Sequence, residues 1–207
     1  MRVIAGRYRR RLLGSLPGYD LRPTSDRLRE TLFNVLTAGN PSALEATIWL
    51  DLFAGTGSVG IEALSRGASM LYAVESSPPA AQLLRSNIRS LGIESGFQVL
   101  EREVSRGLTE LERQAVAVDV IFLDPPYRLA AAYEETIARL ANSTLLKPGG
   151  RVIAEHAKRL EPGAMFGALA RYRKLVQGDA ALSFYQKASA SISPPASSLP
   201  PEGGRTT

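Results

Sequence analysis

Between Thr47 and Ala154, short apolar runs alternate with helical patterns, and this alternation restricts the fold more than any other feature of the chain. The strand-like runs are Thr47–Phe53, Met70–Val74, Phe97–Leu100, Val118–Leu123 and Arg151–Ala154. Helical segments fall between them at Val59–Arg66, Pro79–Leu91, Val104–Arg113 and Ala130–Asn142, with Gly67, Gly92 and Gly149-Gly150 marking ends. Strands covered on both faces read as unbroken apolar runs, and parallel neighbours need a crossover, usually a helix. The pattern predicts an α/β, mostly parallel sheet covered on both sides. Tyr172–Val176 and Ala181–Gln186, split by Gln177-Gly178-Asp179, predict an antiparallel hairpin at its carboxyl end.

The flanks differ. Residues 1–23 read as a short strand or extended arm with turns at Gly14 and Pro17-Gly18. Ser25 reads as an N-cap with Asp26 at the positive end of a helix dipole. Leu28, Leu32, Val35 and Leu36 then recur at helical spacing until Gly39-Asn40-Pro41. From Ala188 to Thr207 the chain is Ser-, Pro-, Ala- and Gly-rich with little to bury, which predicts a disordered tail. A chain of 207 residues suits one sizeable core. The expected organisation is a basic extension and helix over 1–40, one domain over 41–187, and the tail over 188–207.

Composition removes several functions. There is no cysteine, so no disulfide and no thiolate metal site. The start lacks the apolar segment of a signal peptide, and no run approaches the roughly 18 apolar residues of a membrane span. The expectation is a cytoplasmic chain with no membrane partner and no metal. The net charge is +5, and the first 29 residues hold eight arginines against two acids. A polyanion partner and a merely solvated basic arm are equally open on charge alone.

The first strand runs into "DLFAGTGSVGIEALSRG", in which Gly55, Gly57 and Gly60 match G-x-G-x-x-G between strand and helix. Glu75 ends the next strand, 18 residues after Gly57. Such a loop brings backbone close to a nucleoside cofactor, and the acid suits ribose hydroxyls. The motif alone does not choose between NAD and S-adenosylmethionine. Asp51 helps to choose: a carboxylate there would repel a pyrophosphate but suits a sulfonium and an ammonium. The competing reading is that Asp51 merely caps the loop. Asn87 reads as a surface residue or a local cap.

The fourth strand ends in Asp124-Pro125-Pro126-Tyr127, at the sheet edge where ligands bind in open α/β folds. These types suit methyl transfer to an exocyclic amine, a poor nucleophile whose lone pair is delocalised into the base. The Asp124 carboxylate and the Pro125 carbonyl can accept the two amine N–H bonds. Pro125-Pro126 offers no N–H and has fixed φ. Tyr127 offers a face for the target base, worth ~1–3 kcal/mol of stacking. The base must be flipped out or lie in a loop. The plain alternative is a strand-ending turn. His156, the only histidine, lacks a metal constellation and reads as structural rather than catalytic.

Four stretches, "RVIAGRYRRRLL", "LRPTSDRLRETLFNVL", "DLFAGTGSVGIEALSRGA" with Glu75, and "DPPY", resemble the bacterial 16S ribosomal RNA guanine-N2 methyltransferases. "GDAALSFYQ" near the end fits too, so the resemblance runs from Arg2 to Lys187. It implies a Rossmann-like class I methyltransferase with a mostly parallel seven-stranded sheet, an antiparallel carboxyl-terminal hairpin and a basic amino-terminal extension. It implies S-adenosylmethionine as cofactor, held by Asp51, Phe53, Ala54, Gly55, Thr56, Gly57, Glu75, Ser76, Glu103 and Val104. It implies transfer to one guanine N2 of 16S RNA in the small subunit, with Asp124, Pro125, Pro126 and Tyr127 at the reaction. Arg7, Arg9, Arg10, Arg11, Arg22, Thr24 and Arg27 are expected on the RNA and Arg29 is a further candidate, with Arg27 and Arg29 reading equally well as the polar face of an amphipathic helix; the chain is expected to be a monomer. Two positions depart from the family: Arg10 stands where glycine is common, and Glu103 replaces a small acid or amide at the adenine site. The rivals are an N6-adenine or other amino methyltransferase, an NAD-dependent oxidoreductase, and a non-catalytic RNA-binding module.

Overall fold

A computed structural model describes residues 1–15, 23–126 and 130–188. The expectations placed on Pro17-Gly18, Arg22, Tyr127 and the tail beyond Ala188 lie outside those residues. The elements are α1 (Pro23–Leu36), β1 (Ile48–Leu52), α2 (Ser58–Ser65), β2 (Met70–Glu75), α3 (Pro78–Ser90), β3 (Phe97–Glu101), α4 (Val104–Arg113), β4 (Val118–Leu123), α5 (Ala130–Ala141), β5 (Leu146–Ala157), β6 (Met165–Phe166), β7 (Leu169–Gln177) and β8 (Ala180–Lys187).

They form one sheet in the order β3-β2-β1-β4-β5-β8-β7-β6. β3 to β5 pair in parallel, and β5-β8, β8-β7 and β7-β6 are antiparallel. The seven expected strands are present, joined by the two-residue edge strand β6. β5 starts earlier than its apolar run, at Leu146, and a register irregularity between Val118 and Val120 absorbs Pro148-Gly149-Gly150. α1 starts at Pro23, two residues before the expected cap, because a first-turn N–H has no intrahelical partner to lose. Among the described residues no helix is long and apolar enough to cross a membrane.

The period of two along each strand divides the core between the two faces. On β1, Trp49 joins the cluster containing Leu28, Phe33, Ile61 and Leu84, beneath α1 to α3. Leu50 and Leu52 join the opposite cluster with Leu108, Tyr133 and Ile137, beneath α4 and α5. Trp49 is fully buried and stacks on Phe33 at 5.5 Å. Asp51 shares the Trp49 parity and so points under α2.

The amino-terminal arm folds back on itself. Arg2 and Leu12 form an antiparallel bridge, the Val3 N–H donates to the Arg11 carbonyl, and Val3 and Leu13 are buried. Arg10 sits in the turn with φ 68°, the left-handed region that favours glycine.

Candidate active site

The loop after β1 turns sharply. Phe53, Gly55 and Gly57 have φ of 62°, 54° and 79°. The Ala54 N–H donates to the Val74 carbonyl at 3.0 Å, and the Gly57 N–H to the Ala54 carbonyl at 2.8 Å. Gly57 caps α2, and a Cβ there would lie 1.9 Å from the Leu84 side chain. A Cβ at Gly60 would meet the Leu71 side chain at 2.6 Å. The three glycines therefore serve a left-handed turn and close helix packing.

Three carboxylates gather at the carboxyl ends of adjacent strands. Asp51 pairs with Ala73 and Phe122 across β1, so Glu75 and Asp124 each lie two residues further along. Asp51 is 2% exposed, and its Oδ2 accepts the Gly60 N–H at 3.1 Å. Burial pushes its pKa up to about 7, against the Gly60 hydrogen bond, and Asp124 and Glu75 push the same way as burial. Asp51 thus caps the loop and also feels the other two charges. Glu75 accepts the Gly55 N–H with Oε2 and the Ser77 N–H with Oε1, each at 2.7 Å. This acid braces the loop and still has lone pairs for a ligand. Ser76 is exposed beside it, and Thr56 is buried. Glu103 is exposed and Val104 half-buried where α4 begins, one strand beyond Glu75. Carboxylates clustered around a glycine loop fit a cationic ligand and oppose a pyrophosphate. Among the described residues no group of three or more His, Cys, Asp or Glu could hold a metal ion.

Asp124 follows β4 and is partly exposed, with its N–H directed at the Leu52 carbonyl at 3.4 Å. Pro125 is buried and Pro126 exposed. The Pro125 carbonyl accepts the hydroxyl of Tyr133, a fully buried residue of α5, at 3.1 Å. Its second lone pair remains as an acceptor. His156 is fully buried, with Nδ1 donating to the Ala157 carbonyl and Nε2 accepting from Ser183, each at 2.9 Å. Burial lowers its pKa, which suits a neutral structural imidazole.

The arm docks on α2 and α3, the helices that flank the glycine loop. The fully buried Glu62 accepts the N–H groups of Ile4 at 2.7 Å and Ala5 at 2.9 Å, and pairs with Arg66. Gly6 lies so close that a Cβ would fall 1.9 Å from the Ser65 carbonyl oxygen. Asn87 is 3% exposed and corrects its expected surface position: its amide bonds Gly14 in the arm and the Thr56 carbonyl in the loop. Arg29 is likewise corrected. It is 4% exposed, donating to the Arg2 carbonyl at 2.6 Å and to Asp26 at 2.9 Å, so it holds the arm and does not face RNA. Its place beside Leu28, Leu32 and Phe33 on the apolar stripe was the available signal, as was Glu62 between Ile61 and Ala63. Arg7, Arg9, Arg10, Arg11 and Arg27 are exposed. Arg7 lies 5.4 Å from the Tyr8 ring, and Arg11 donates to the Ser90 carbonyl at 2.8 Å. The Thr24 side chain lies outside the described residues.

The family described as Conserved hypothetical protein 95 matches residues 1–186. A Haemophilus influenzae protein named ribosomal RNA small subunit methyltransferase D is 36% identical over 158 residues, spanning 76% of this chain and 79% of that one. The Escherichia coli K12 protein of the same name is 32% identical over 187 residues, 90% of each chain. A solved structure of a hypothetical protein from Thermus thermophilus is 32% identical with a TM-score of 0.74, covering 90% of this chain and 99% of that one.

Proposed function

This chain belongs to the Conserved hypothetical protein 95 family, and from that premise we propose that it methylates the exocyclic N2 of a guanine in 16S ribosomal RNA, with S-adenosylmethionine as donor. Relatives named ribosomal RNA small subunit methyltransferases support the reaction class and the RNA. The observation that carries the reading is the corner shared by Asp51, Glu75 and Asp124 beside the glycine loop, which suits a cationic donor next to an amine acceptor site. We further propose that the substrate lies within the small ribosomal subunit, and that the chain acts as a cytoplasmic monomer.

S-adenosylmethionine, when bound, would supply an electrophilic methyl on a sulfonium, with a neutral thioether as the leaving group. Asp51 supplies negative charge on the donor's side of the crevice, and Glu75 has acceptor capacity for ribose hydroxyls. Glu103 and Val104 are assigned to the adenine edge. Asp124 and the Pro125 carbonyl accept the two amine N–H bonds and favour a more pyramidal, more nucleophilic nitrogen, and Asp124 is the acceptor for the proton that leaves. Tyr127 is assigned to stacking on the flipped base. Residues 1–40 grip RNA through Arg7, Arg9, Arg10, Arg11, Arg22, Thr24 and Arg27, and 41–187 form the methyltransferase domain. Positioning and fixed charge supply most of the acceleration.

The test incubates the chain and labelled donor with 16S RNA and with small subunits, followed by mass mapping of the nucleosides. N2-methylguanosine is the expected product, and N6-methyladenosine would support the adenine alternative instead. Asp124→Ala should abolish transfer while keeping S-adenosylhomocysteine binding. Binding of NADH in place of S-adenosylhomocysteine would refute the reading.

A further inference from the structure

We propose that Tyr133 is a positioning residue for methyl transfer: its hydroxyl holds the Pro125 carbonyl in the direction in which it receives an amine N–H. The inference rests on the reaction proposed above.

A pyrrolidine ring fixes φ of Pro125 but leaves ψ free, and ψ sets where the carbonyl points. Pro126 confines ψ to an extended range tens of degrees wide. The sequence argument for a rigid acceptor is therefore incomplete, and one more contact must select the direction. The Tyr133 hydroxyl, donating at 3.1 Å from the first turn of α5, is that contact.

The phenol is itself held. Tyr133 is fully buried in the cluster beneath α4 and α5 and meets His156 edge to face at 6.3 Å. His156 is anchored on β5 and bonded to Ser183 on β8. The carbonyl direction is thus referred back to the sheet. A buried phenol needs some acceptor in any protein, so satisfaction alone would explain the bond. What separates the two explanations is whether turnover depends on it.

Tyr133→Phe removes one oxygen and keeps the ring. The expected result is a roughly 10- to 100-fold fall in kcat, with KM for the donor and the Kd values for S-adenosylhomocysteine and 16S RNA within about twofold of wild type. Ile137→Val, one turn along α5 in the same buried cluster, should lower the melting temperature and leave kcat unchanged. Wild-type kcat in Y133F overturns the proposal. So does loss of S-adenosylhomocysteine binding in Y133F, or a matching fall in kcat for I137V, since either marks a general loosening of the core. A wild-type chain that leaves guanine N2 unmodified would instead sink the underlying reaction, before any variant is compared.

Discussion

Asn87 on α3 and Thr56 in the glycine loop are joined by a 3.0 Å hydrogen bond from the Asn87 amide to the Thr56 carbonyl. The same amide accepts the Gly14 N–H at 2.7 Å and donates to the Gly14 carbonyl at 3.3 Å. A single buried side chain therefore ties the arginine-rich arm to the loop at the candidate cofactor site.

Asn87→Ala should leave the Gly14 N–H and the Thr56 carbonyl without their partner, costing about 1–3 kcal/mol of stability. S-adenosylhomocysteine should also bind less tightly. Urea melts and calorimetry read both, and wild-type values in each would show the bridge to be idle.

Asp51 makes stability depend on pH. Its carboxyl is raised from 3.8 to about 7, so between those values the native state keeps a proton that the unfolded chain has lost. Stability should fall as the pH rises through that window, and Asp51→Asn should flatten that part of the curve. A cationic donor favours the ionised carboxylate, so S-adenosylmethionine should bind more tightly as the pH rises towards 7, with proton release. Calorimetry at pH ~6 in two buffers of unlike ionisation heat measures that proton, and D51N should release none.

Arg10→Gly should raise the melting temperature. The left-handed conformation at φ 68° costs a side-chain-bearing residue about 1–2 kcal/mol, part of which glycine returns through its freer unfolded state. RNA affinity should fall in the same variant because a positive charge is lost. A lower melting temperature would refute the assignment of strain to this turn.

Arg9→Gln and Arg11→Gln should part company. If each arginine meets one phosphate, each loss should lower the slope of log affinity against log salt by about 0.7–0.9. Only Arg11 also bonds the Ser90 carbonyl, so R11Q alone should cost stability. Unchanged slopes in both variants would remove the arm from the RNA interface.

Much of this fold is legible in the sequence. β1, β2, β3, β4 and the hairpin of β7 and β8 fall close to their apolar runs because burial on a pleated sheet selects continuous or alternating apolar residues. Gly55, Gly57 and Gly60 marked a turn because left-handed backbone and tight helix packing both exclude a Cβ. β6 was not legible, since two residues at a sheet edge carry no periodic signal. Tyr133 was hidden for another reason: a tyrosine on an apolar stripe looks like core until its hydroxyl is seen to reach Pro125.

The sequence by itself determined the alternation, the glycine turn and the acids at strand ends, all of which act over a few neighbouring residues. Only the tertiary structure decided that Glu62 would hold Ile4 across 58 positions and that Asn87 would hold Gly14 across 73. The reason is physical. A buried polar group must find a partner, but its identity is set by which helices the crossovers bring together, and no local pattern records that choice.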